Sequence, residues 1–266
     1  YRDPTLRFCG ASMHTVAEDF HPMRGLISNA PVDYAMNSGV LHSAISVGVI
    51  CPCEHNQKFA QFISGLNRQS QAKHNTDYLI SFPGFYRAFK TGLDLPDPNS
   101  SKWKQITASS EWDVHKAAVE FGDSITRKID QLSANSIDVI LIYIPKEYEV
   151  FTSYADGTVN YDLHDYIKAY AAQKQVATQF VREKTIESDL HCQIMWALSL
   201  ALYVKSGRTP WVVNGIQPDT AFAGIGYSVM NGPSDSNVVV GCSHIYSSDG
   251  CGMKYKLSKI QDYTFD

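Results

Sequence analysis

Residues 137–145 read IDVILIYIP, and that run restricts the fold more than any other feature of the chain. A strand sends alternate side chains to opposite faces. An apolar run without alternation is therefore apolar on both faces and needs cover on each. That is the setting of a central strand in a parallel sheet, where crossover helices lie above and below. HSAISVGVI at 42–50 reads as a second strand by its length and β-branched content. The 53–72 segment, CEHNQKFAQFISGLNRQSQA, is helical, with Phe59, Phe62 and Leu66 on one face. TDYLISF at 76–82 reads as a further strand before a PGF turn, and the Pro-, Asp-, Asn- and Ser-rich stretch 90–101 as a surface loop. DVHKAAVEFGDSITRKIDQLSANS at 113–136 is a long amphipathic helix.

Next come a short amphipathic helix, DLHDYIKAYAAQKQ (162–175), the strand VATQF, and an apolar helix from about Ser188 to Lys205. Strand and helix alternate, which predicts a Rossmann-like α/β domain over 41–215. Residues 1–40 lack periodicity and read as an extended entry segment. From 216 the texture changes. TAFAGIGYSV, SNVVVGCSHIY and GMKYKLSKI are three strands joined by turn-rich links, an antiparallel meander. The chain opens at Tyr1 instead of Met, which suggests a fragment.

Composition removes several classes. With 266 residues, 19% charged and 44% hydrophobic, this is an ordinary globular chain. A formal charge of −4 argues against a long phosphate-tracking surface and leaves room for a local phosphate site. The six cysteines form no CxxC pair or Cys/His ligand grouping, so reduced structural thiols are expected, in a cytoplasmic protein. IMWALSLALYV at 194–204 is too short to span a bilayer. No GxGxxG follows the first strand, and no GxSxG string is present.

The informative cluster is polar. His164 and Lys168 are four residues apart on one helix face. Asp162 can cap that helix, placing His164 in a first turn whose dipole favours anions. Gln179 is read where the strand gives way to a loop, and Lys205 closes the last helix. Right-handed crossovers put the loops after parallel strands along one edge of the sheet, where ligands bind. An imidazole, an amide and two ammonium groups suit one terminal phosphate, with Thr178 and Arg182 as auxiliaries. Taken singly, each residue has an ordinary structural explanation. A lysine ending a helix suits the dipole, and Arg208 in the SGRTPW turn reads as structural.

This run resembles the guide 5′-phosphate pocket of the MID domain in Argonaute proteins. That pattern has an aromatic or His residue, a Lys four residues on, a Gln about a turn and a strand later, and a final Lys before the PIWI domain: here His164, Lys168, Gln179 and Lys205. MRGLISNAPVDY (23–34), SFPGF (81–85) and LALYVKSGRTPW leading into DTAFAGIGYSV extend the similarity from about residue 20 to the end, closest to short prokaryotic Argonautes made only of MID and PIWI domains. The resemblance implies that 216–266 begin an RNase H-like PIWI domain. It implies a guide RNA or DNA, a complementary target strand, a prokaryotic defence role, and an APAZ-domain partner of sirtuin, TIR or nuclease type. Magnesium bridging the guide phosphates is implied as in some relatives, although the sequence shows no dedicated ligand set. The first metal-binding Asp of an RNase H-type nuclease aligns with Gly226, which implies an inactive PIWI domain. Asp219 and Asp249 read as turn residues. Two enzyme alternatives remain: a metal-dependent nuclease with its acids elsewhere, or an α/β enzyme acting on a phosphorylated metabolite.

Overall fold

A computed structural model describes residues 3–10, 12, 15–34, 43–73, 78–107, 111, 113–156, 159–217, 219–231, 237–248 and 252–260. In chain order its elements are β1 (Leu6–Cys9), β2 (Val16–Asp19), α1 (Pro22–Ser28), β3 (Ile45–Pro52), α2 (Asn56–Ser64), α3 (Phe85–Phe89), β4 (Leu93–Asp94) and β5 (Trp103–Ile106). Then follow α4 (Val114–Ser133), β6 (Val139–Ile144), β7 (Ser153–Asp156), β8 (Val159–Asp162), α5 (Leu163–Gln173), β9 (Ala177–Arg182), α6 (Glu183–Ile186) and α7 (His191–Lys205). The last four are β10 (Val212–Val213), β11 (Ala221–Asn231), β12 (Asn237–Ser247) and β13 (Gly252–Ile260).

The central sheet is parallel throughout. It runs β4-β3-β6-β9, with β5 also pairing β3. Every residue of β6 is buried, as an unbroken apolar strand requires. Val139, Leu141 and Tyr143 join one core cluster with Val47, Val49, Phe59, Phe62, Trp196 and Leu202. Ile140, Ile142 and Ile144 join the other, with Phe121, Ile125 and Ile129 of α4 and Leu163 and Ile167 of α5. So α2 and α7 cover one face of the sheet, and α4 and α5 cover the other. Asp113 caps α4 by accepting from the His115 and Lys116 amides.

Three sequence expectations need correction. The 1–40 segment is not a simple extended entry. β1 pairs with β2 and with β10 in an antiparallel sheet, and Leu6, Phe8 and Leu26 enter the core. Gly25 makes this packing possible, because a Cβ there would lie 2.2 Å from the Phe8 ring. The 90–101 stretch is not all surface: Leu93 is buried and pairs beside Ile45. Within 76–82, residues 78–82 form no extended strand. The Ile80 carbonyl accepts instead from Trp196 Nε1 at 2.9 Å, so this backbone is bound to α7 side chains.

Local chemistry fixes the turns. Gly84 of SFPGF sits at φ 95° just before α3, a conformation open to glycine at no steric cost. Asp33 of NAPVDY is buried. It accepts from Tyr203 Oη at 2.8 Å and Thr209 N at 2.5 Å, tying the start of the chain to the end of α7. Arg208 is also buried and donates to Thr91 Oγ1 at 3.1 Å and to the Ser43 carbonyl at 2.9 Å.

Beyond β10, β11, β12 and β13 form the expected antiparallel meander, with Gly226 opposite Cys242. Asp249 lies outside the described residues. Among the described residues no helix is long and apolar enough to cross a membrane.

Candidate nucleic-acid interface

β9 ends the strand order, so one side of it is free of a neighbouring strand among the described residues. The helices on the two faces of the sheet send lysines round that edge. Lys168 comes from α5 on one face and Lys205 from α7 on the other. Both ammonium groups donate to one acceptor, the Thr178 carbonyl of β9, and the Lys205 distance is 2.7 Å. Lys205 Nζ also donates to Gln179 Oε1 at 2.6 Å, and Gln179 Nε2 donates to the Phe180 carbonyl at 2.9 Å. Lys168, Gln179 and Lys205 therefore converge, as their proposed roles require.

The electrostatics of this trio are unbalanced. No carboxylate lies within ion-pairing distance of either ammonium group among the described residues. Burial pushes Lys168 below its ordinary range. Burial, reinforced by the neighbouring Lys168 charge, pushes Lys205 down to about 8. Two cations share a carbonyl and an amide oxygen, both neutral. The arrangement favours an anion, which would restore what each lysine loses on leaving water.

His164 belongs to an adjoining group. Its ring packs against Phe180 with centroids 5.4 Å apart. With Arg182, Phe180, Ile144 and Ser153 it lines a cleft of about 150 Å³ that Lys168, Gln179 and Lys205 do not line. The cap forms as expected, Asp162 Oδ1 accepting from the Asp165 amide at 3.0 Å. Asp165, however, stands in the first turn of α5 and meets His164 Nδ1 at 3.2 Å. Two carboxylates thus already occupy the positive end of the helix dipole. The positive half of the site is the lysine pair one turn further on.

Two positions differ from the sequence reading. Gln179 is the third of six residues in β9, not its end, so the trio flanks the strand and does not sit past its carboxyl end. The Thr178 side chain is 2% exposed; its carbonyl takes part in the site, and its hydroxyl does not. The sequence could not show which face α5 and α7 each cover, and that choice alone brings their lysines to one edge.

Metal donors can be compared with the expected magnesium. Asp162, His164 and Asp165 present ligand atoms within 4.8 Å of one another, all exposed. The two carboxylates suit a hard hydrated ion; the imidazole does not.

No protein-family model matches the chain, and no curated protein matches it. Solved structures do match. The chain is similar to Aa-Ago with externally bound siRNA, at 16% identity and TM-score 0.56, covering 98% of this chain and 31% of that one. It is similar to Drosophila Piwi, at 14% identity and TM-score 0.54, covering 98% and 30%. It is also similar to the Argonaute of Methanocaldcoccus janaschii in complex with guide DNA, at 12% identity and TM-score 0.50, covering 98% and 32%. The chain therefore spans about a third of the length of the structures it matches. The fold is Argonaute-like: the parallel α/β sheet followed by the antiparallel meander matches the MID and PIWI domains.

Proposed function

We propose that this chain is the guide-strand binding part of an Argonaute. It grips the 5′-phosphate of a short guide RNA or DNA with Lys168, Gln179 and Lys205. His164 lies under the first base, beside Phe180, and Arg182 assists from the adjoining cleft. Sequence is then read by base pairing to a target strand, as in other guided systems. The lysine pair carries the reading: two half-buried cations without a carboxylate partner among the described residues. A terminal phosphate brings nearly two negative charges and several acceptor oxygens. The Argonaute-like fold supports the same reading, as does the guide DNA held by one of the similar proteins.

In this reading residues 1–40 are the entry segment, 41–215 are the MID-like unit, and 216–266 open the PIWI part. The protein is a cytoplasmic defence component of the short prokaryotic kind, working with an APAZ-domain effector of sirtuin, TIR or nuclease type. It does not cut. Gly226, the sixth of eleven residues in β11, offers no carboxylate where two-metal cleavage needs its first anchor. Magnesium bound near Asp162 and Asp165 would help bridge guide phosphates.

The test is a titration of 5′-phosphorylated and 5′-hydroxyl forms of one short oligonucleotide. Lys168→Ala should weaken binding of the phosphorylated form by about 1.5–3 kcal/mol and leave the hydroxyl form nearly unchanged. Equal losses for both would remove the phosphate from the site.

A further inference from the structure

A second polar cluster, unrelated to the lysine trio, sits at the carboxyl ends of β3, β6 and β9. Open parallel sheets bind ligands at that edge. Just past β3 stand Glu54 and His55; past β6 stands Glu147; past β9 stands Glu183. His55 Nε2 lies 2.5 Å from Glu147 Oε1. Tyr148 Oη donates to Glu54 Oε1 at 2.7 Å. The imidazole and the Glu54 and Glu147 carboxylates present ligand atoms that all lie within 4.8 Å of one another. Donors about 2.0–2.2 Å from one ion fall within that mutual separation.

An independent observation points into the same place. Tyr143, the next-to-last residue of β6, is 0% exposed, yet its hydroxyl has no hydrogen-bond partner among the described residues. Its ring meets the His55 ring edge-on at 5.6 Å. A buried hydroxyl left without a partner costs stability, and the water of a bound ion would supply a hydrogen-bond partner. Nearby Lys58 does not repel a cation strongly, because it is already paired with Glu183 and Glu187.

We propose that Glu54, His55 and Glu147 form a site for one divalent transition ion of the zinc type, with the Tyr143 hydroxyl as an outer donor or acceptor to its water. One imidazole and two carboxylates match the charge of such an ion and suit zinc better than magnesium, which prefers an all-oxygen shell. The ion would clamp the start of α2 to the turn after β6. The site owes nothing to the guide reading and stands or falls separately.

The full chain is titrated with zinc chloride by calorimetry, and its melting temperature is followed with and without zinc. One tight equivalent and a zinc-dependent rise in Tm are expected. His55→Ala and Glu147→Gln should each weaken binding by about 10- to 100-fold and abolish the rise. Exposed Glu54→Gln gives a second route should His55→Ala fail to fold. His164→Ala, in the other Asp/His cluster, and magnesium in place of zinc serve as contrasts. His164→Ala should leave the zinc equivalent intact, and magnesium should not reproduce it. No tight equivalent, or one that survives His55→Ala and Glu54→Gln or vanishes with His164→Ala, would overturn the proposal. Lower stability in His55→Ala with no zinc response in wild type would also overturn it, leaving only a structural ion pair.

Discussion

The open side of β9 and the carboxyl ends of β3, β6 and β9 both gather charge, and they settle it in opposite ways. At the carboxyl ends, cations meet anions: Lys58 bonds Glu183 and also lies 3.0 Å from Glu187, while Glu183 Oε2 accepts from the Lys146 amide at 2.8 Å. The pairing holds Glu183 below the usual carboxylate range, chiefly through Lys58. At the β9 edge two cations meet only neutral oxygens among the described residues, and both lysines fall below their usual range. Paired charge maintains a fold at little net gain, whereas like charges held together without a partner cost stability and favour a ligand. The contrast marks the β9 edge as the place where an anion belongs.

The largest effect should come from removing both cations. Lys168→Ala combined with Lys205→Ala should abolish the preference for a 5′-phosphate, a loss of at least about 1.5–3 kcal/mol in the difference between the two oligonucleotides. Competition binding measures it directly, and a surviving preference would move the phosphate elsewhere. His164→Ala should act on the base and not the phosphate. Both oligonucleotides should weaken alike, by about 1–3 kcal/mol if the ring stacks under the first base. A loss confined to the phosphorylated form would assign the imidazole to the phosphate instead.

Stability should then divide the two regions by sign. Glu183→Gln strips Lys58 of its nearest partner and weakens the acceptor for the Lys146 amide. Chemical denaturation should show a loss of about 1 kcal/mol. Lys205→Met, which removes one of two like charges, should raise the stability of the unliganded protein while costing it the phosphate. If both substitutions destabilise alike, the contrast between the regions fails.

The same lysine makes that gain depend on pH. Lys205 titrates near 8 when folded and near 10.5 when unfolded, so between those values the unfolded chain holds more protons. Wild-type stability should therefore rise with pH across that window relative to Lys205→Met, and the gap between them should close. Phosphate affinity should move the other way. It should fall as pH climbs through about 8 in wild type and lack that step in Lys205→Met. Thermal melts and titrations at a series of pH values would expose either trend.

The amino-acid sequence determined the layered sheet, because IDVILIYIP has no polar face to leave in water and must sit between helices. It determined α5 and its Asp162 cap through local chemistry, and the meander through short strands broken by turns. It also brought His164, Lys168, Gln179 and Lys205 under suspicion, by spacing and resemblance. Tertiary structure decided what spacing cannot encode. α5 and α7 lie on opposite faces of the sheet, so their lysines meet only because β9 ends the strand order and its outer edge carries no strand among the described residues. The part of Asp165 in filling the helix dipole, and the inward turn of Thr178, follow from packing of the same kind. His55 stands 92 residues from Glu147 along the chain, and it and Glu54 meet Glu147 only because β3 and β6 are parallel neighbours that end side by side. Local sequence sets which groups a strand carries; the order of strands in the sheet sets which of them share an edge.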